Sequence, residues 1–179
     1  SFFVFHYFLK NYYVSSWKKS LGIYVIFGIV GIVISLIVVI PTRLYLFSPF
    51  AVYGEAMSPT YNSGDYLLID KFDKSFERGD VVMFRYPKDP SKFFIKRIIG
   101  LPLEKVDIQS GKVLINGQVL SESYHNGETS PDSSTILNQD QYFVLGDNRN
   151  MSSDSRIWGP ITKSSIQGKI FYKVFGLTK

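Results

Sequence analysis

Lys96 sits in the stretch FFIKRIIG, with Phe93, Phe94 and Ile95 ahead of it and Ile98 and Ile99 close behind. If its side chain turns into an apolar core, desolvation pulls its pKa down from about 10.4 towards neutrality, because burial disfavours the ammonium form. A neutral amine so placed is a general base. The competing reading is a lysine that reaches water from a half-buried strand, as most lysines do. A second stretch, GDNRNMSSDSR from Gly146 to Arg156, follows the apolar run YFVL. It gathers acids, arginines and serines in a loop set by a strand, which is where sites tend to be built. Asp154 and Arg156 are placed to form a charge-assisted pair, and Ser152 offers a hydroxyl that can orient a buried amine. Taken alone, the same loop reads as a solvated one held by Asx turns.

Peptide hydrolysis without metal or cysteine calls for a hydroxyl nucleophile, a base for its proton and donors for the developing oxyanion. The chain has no cysteine, and its two histidines are His6, ahead of a long apolar run, and His125, in a polar stretch. A Ser-His-Asp arrangement therefore has poor material, and neither histidine has a neighbour at ligand spacing, so no metal and no cofactor are expected. The net charge of +5 is unevenly spread. Lys10, Lys18, Lys19 and Arg43 are the only charged side chains up to residue 43, so the remaining chain is nearly neutral. That leaves a nucleic-acid surface without support.

The elements that must position these residues begin with LGIYVIFGIVGIVISLIVVI, Leu21 to Ile40, which carries no charge. Twenty residues at ~1.5 Å each reach about 30 Å, the hydrocarbon thickness of a bilayer, and the run is too long for a secretion signal. We read a transmembrane helix preceded by a cytoplasmic or interfacial segment, residues 1–20, whose aromatic residues suit the headgroup region. Three lysines ahead of the span against one arginine after it put the N-terminus in the cytoplasm and the following domain outside, in a single pass. Residues 41–179 form that domain. Its connector PTRLYLFSPF, 41–50, is expected in or on the outer leaflet. YLLID, VVMFRY, FFIKRIIG, YFVLGD and KIFYKVFG read as strands, each bounded by turn residues. KVLINGQVL reads as a hairpin about a type I′ turn at Asn116-Gly117. With the polar segment Ser121–Asp140, taken as a loop, it forms a small insertion at about 106–140. The expected fold is mainly β: an antiparallel domain on one N-terminal membrane helix.

Three stretches taken in order, GEAMSPT (54–60), KRIIGLP (96–102) and GDNRNMSSDSRIWG (146–159), resemble bacterial type I signal peptidases, membrane-bound serine endopeptidases of the Ser/Lys dyad class. The resemblance runs from Leu21 onward and rests on long, ordered motifs. It implies cleavage of exported preproteins after Ala-x-Ala-like sites, with signal peptides and membrane lipid as partners. It places the nucleophile and an oxyanion N–H at residue 56, the general base at Lys96 and the lysine-orienting hydroxyl at Ser152. Asp147, Asp154, Arg156 and Arg97 become structural support, and Val52, Met57 and Ile95 line the pockets for small side chains. Leu103-Glu104 departs from the family's usual Gly-Asp, a turn substitution that leaves the chemistry alone.

Ala56 is a different departure, because a methyl group cannot attack a carbonyl. Loss of the nucleophile from a serine-protease site costs on the order of 10⁶ in turnover. Alanine removes only the serine oxygen and keeps backbone and volume, while Lys96 and Ser152 remain. That pattern implies a serine deliberately replaced in an active peptidase, leaving an inert chain that still binds substrate. The alternatives are a natural non-catalytic pseudopeptidase, tethered to a membrane and binding peptides or a partner, and a self-cleaving Ser-Lys repressor protease. The apolar span and the lack of a DNA-binding helix pair speak against the last.

Overall fold

The computed structural model describes residues 4–7, 17–39 and 47–174. The chain divides into two compact units, Ser1–Tyr45 and Leu46–Lys179. In the first, α1 (Trp17–Ile34) runs into a π-helical turn, Ser35–Val39. The window Leu21–Val38 has a mean hydropathy of 2.8 and no buried residue, so apolar side chains face outward on all sides. Such a helix is long and apolar enough to cross a bilayer. Of the expected aromatic segment, residues 4–7 are helical and exposed. Ile40 and the start of the connector lie outside the described residues.

The second unit has the mainly antiparallel β architecture expected. β1 (Phe47–Ala51), β2 (Tyr66–Asp70), β3 (Val81–Tyr86), β4 (Asp89–Gly100), β9 (Gln141–Leu145), β10 (Ile161–Thr162) and β11 (Ile166–Val174) form a seven-stranded sheet. Its order is β1-β2-β11-β3-β4-β9-β10. Between β4 and β9, which pair directly, the chain makes a separate four-stranded sheet of order β7-β6-β5-β8. Its strands are β5 (Lys105–Gln109), β6 (Lys112–Ile115), β7 (Gln118–Val119) and β8 (Ser133–Ile136). Asn116 and Gly117 both have positive φ, 52° and 81°, as a type I′ turn between β6 and β7 requires. Ile99, Phe143 and Leu145 of the large sheet pack with Val106, Ile108, Val113 and Leu137 in one buried cluster, which fixes the insertion to the main sheet.

Two expectations need correction. Phe47–Phe50, the end of the connector expected in or on the outer leaflet, belongs to β1, paired to β2 from Phe47↔Asp70 to Ala51↔Tyr66. Phe50 packs on the core formed by Val52, Met57, Leu67 and Ile95. Pro49 is tolerated because β1 is an edge strand. Within the expected loop 121–140, Ser133–Ile136 is β8, pairing Ile108↔Ser133 through Lys105↔Ile136. Its alternation is masked because Ser134 and Ile136 both lie on the exposed side of an edge. Backbone pairing, not apolar burial, makes it a strand.

Candidate active site

β4 delivers Lys96. Its partners are Val82 on β3 and, through Arg97↔Leu145, the end of β9. Antiparallel pairing then brings the residue after Leu145, Gly146, alongside Lys96. The lysine is 5% exposed. Nζ donates to the Ile95 carbonyl at 2.9 Å and lies 5.4 Å from the centroid of the Phe94 ring. Burial lowers its pKa from 10.5 to about 8, against the opposing pull of the Asp154 and Asp147 carboxylates. The amine is thus accessible in neutral form near physiological pH.

Residue 56 arrives from a turn that closes β1 onto β2. Val52 N–H donates to Asp65 O at 2.9 Å and Gly64 N–H to Val52 O at 2.9 Å, while Tyr61 N–H donates to Met57 O at 2.8 Å. A cleft of about 280 Å³ joins this turn to β4, and Ala56, Lys96, Val52, Met57 and Ile95 all line it. Phe50, Tyr53, Gly54, Phe93, Phe94 and Ser153 complete its walls, so the surface is mostly apolar and Lys96 is its one charged residue among those described.

The loop after β9 ties the two sides together. Asn148 N–H donates to Ala56 O at 3.1 Å. Gly146 must be glycine: a Cβ there would stand 2.2 Å from Ser152 Oγ and 2.5 Å from Ala56 O. Ser152 is therefore beside the backbone of residue 56, with no hydrogen bond joining it to the lysine. Ser152 Oγ is buried without a hydrogen-bond partner, and the lysine donates to Ile95 O instead.

Two buried ion pairs hold the frame. Asp147, fully buried, takes Arg97 Nε at 2.8 Å and Nη2 at 2.6 Å and accepts the Thr60 hydroxyl at 2.5 Å. The Thr60 contact clamps the turn bearing Ala56 onto the loop. Asp154, also fully buried, takes Arg156 Nε and Nη2 at 2.8 Å each and accepts Gly146 N–H at 3.1 Å. Breaking such a pair from one side costs about 3–5 kcal/mol, because the remaining charge is stranded.

A desolvated amine in an apolar cleft beside the turn of residue 56 can serve as a general base. The model of the family described as signal peptidase, peptidase S26, matches residues 26–175. A signal peptidase I of Leptolyngbya laminosa is 36% identical over 155 residues, spanning 79% of this chain and 75% of the relative. The chain belongs to the S26 signal peptidase family. A further member, signal peptidase I V of Bacillus subtilis strain 168, is 33% identical over 156 residues, 77% of this chain and 92% of the relative. Among solved structures, a signal peptidase I of Enterococcus faecalis V583 aligns with a TM-score of 0.49 at 31% identity, covering 54% of this chain and 97% of that one.

Three contributors to this S26 site escaped sequence reasoning. Thr60 and Gly146 stood in the motifs without an assigned task; the bracing role of each depends on a residue distant in sequence. Arg149, 2% exposed, pairs with Glu122 of the insertion. Glu122 lay in a polar stretch with no periodicity, and only the tertiary contact marks it.

Proposed function

We propose that this chain is a membrane-anchored type I signal peptidase in which Ala56 occupies the place of the nucleophilic serine, so that it binds signal peptides and does not cleave them. The observation that carries the reading is the buried Lys96 amine, with its pKa brought to about 8, in the same cleft as residue 56. With serine at 56, neutral Lys96 takes the hydroxyl proton as Oγ attacks the scissile carbonyl, and the residue 56 N–H donates to the oxyanion. The ammonium then gives its proton to the leaving amine, and water hydrolyses the ester. Lys96 Nζ donates to one carbonyl, while Ser152 Oγ has no partner; a rotation of the amine towards that hydroxyl would orient the base.

Val52, Met57 and Ile95 are 2%, 1% and 6% exposed, which leaves shallow pockets with well-packed floors. A small side chain is accepted and a larger one has to displace packed atoms. The peptide adds as a strand beside residues 51–56. The exposed apolar helix Leu21–Val38 anchors the chain, with the N-terminus cytoplasmic and the β unit outside.

The test uses the chain as it stands. A peptide with a signal-like apolar segment ending in Ala-x-Ala, titrated calorimetrically into the detergent-solubilised chain, binds with micromolar affinity and stays intact by mass spectrometry. Replacing both alanines by leucine weakens binding at least tenfold. Equal affinity for the two peptides would reject the pocket assignment.

A further inference from the structure

The four-stranded insertion reaches into the loop that supports residue 56. Arg149 Nη1 and Nη2 donate to the two carboxylate oxygens of Glu122, Nη1 at 3.2 Å, and Nη1 also donates to Thr129 Oγ1. The side chains of the ion pair are 0% and 3% exposed. Arg149 Nε donates to Gly146 O at 3.1 Å. The backbones interlock as well: Asn126 N–H donates to Asp147 O at 2.7 Å, and Arg149 N–H to Asn126 O at 2.9 Å. One residue beyond Asp147, Asn148 N–H holds the Ala56 carbonyl.

We propose that Glu122, which lies outside the three motifs and outside the cleft, is a positioning residue for the reaction at residue 56, acting through Arg149 on the backbone of residues 146–148. The inference rests on the reaction assigned above. Glu122 supplies the only carboxylate paired with the Arg149 guanidinium among the described residues. Neutralising it leaves a buried cation that must rotate towards water or another acceptor. The Nε contact to Gly146 O is lost with that rotation, and Gly146 is the residue with no free space between Ser152 Oγ and Ala56 O. A displacement of about 1 Å at a reacting group costs on the order of 10²-fold in rate. Since Glu122 does not line the cleft, substrate affinity is left nearly untouched.

The experiment uses the full chain with Ala56→Ser as parent and a peptide cleaved after Ala-x-Ala. Glu122→Gln is expected to lower kcat about 10- to 100-fold with KM within twofold, in protein shown by thermal unfolding to be folded at the assay temperature. Glu122→Asp, which keeps the charge, is expected to recover at least part of the lost kcat. An unchanged kcat, a loss matching the unfolded fraction alone, or a change confined to KM overturns the inference. If Glu122→Gln does not fold, Thr129→Val is read by the same criteria, since it removes one acceptor from the guanidinium without stranding its charge. An inactive Ala56→Ser parent overturns the functional reading and this inference with it. An active parent indifferent to Glu122 overturns this inference alone.

Discussion

Ala56→Ser is expected to raise turnover of an Ala-x-Ala peptide by roughly 10⁶. The size of the gain follows from what is already assembled. Residue 56 is half-buried at the cleft, its carbonyl is held by Asn148, and its turn is clamped to Asp147 through Thr60. The substitution adds one oxygen to a cleft that already holds the buried Lys96 amine. Cleavage mapped by mass spectrometry in detergent checks it: a single cut after the second alanine supports the account. No cut in folded protein would leave a peptide-binding pseudopeptidase as the better description.

Lys96→Met in that restored enzyme is expected to abolish cleavage, by a factor of 10⁴ or more, and at the same time to stabilise the protein. Activity falls because methionine cannot accept the serine proton, and residues acting as one unit lose nearly everything when one is removed. Stability rises because the folded state lowers the lysine pKa from 10.5 to about 8. Between those values the unfolded chain binds more protons than the folded one, so stability climbs with pH across this window. Below pH 8 the cost of burying the ammonium is present in full, about 3–4 kcal/mol at 1.36 kcal/mol per tenfold. Methionine fills similar volume without it. Denaturant titrations at pH 7 and pH 10 check the sign: the gain is largest at pH 7 and shrinks towards pH 10.5. Destabilisation at both values would show that the amine is not held against its solvation.

Much of this site was legible in one dimension because its chemistry is carried by short runs. Lys96 is flanked by apolar residues whose burial could be read from the strand, and Asp154 and Arg156 are neighbours in sequence as well as in space. The strands β2, β3 and the Asn116-Gly117 hairpin announce themselves by alternation and turn residues. Edge elements did not. β1 contains a proline and follows an apolar span, so its residues looked like a continuation of the anchor, and β8 keeps Ser134 and Ile136 exposed. The long-range polar contacts were hidden altogether. Thr60 meets Asp147 and Glu122 meets Arg149 only because β4 and β9 pair across the insertion. Ser152 was singled out by its motif, and its hydroxyl is buried without a hydrogen-bond partner.

The most direct test of a neutral lysine serving residue 56 is the pH dependence of kcat/KM in the Ala56→Ser protein. The account predicts a tenfold rise per pH unit below a plateau that begins near pH 8, where Lys96 loses its proton. A profile flat through that region, or one still rising towards pH 10.5, would contradict it.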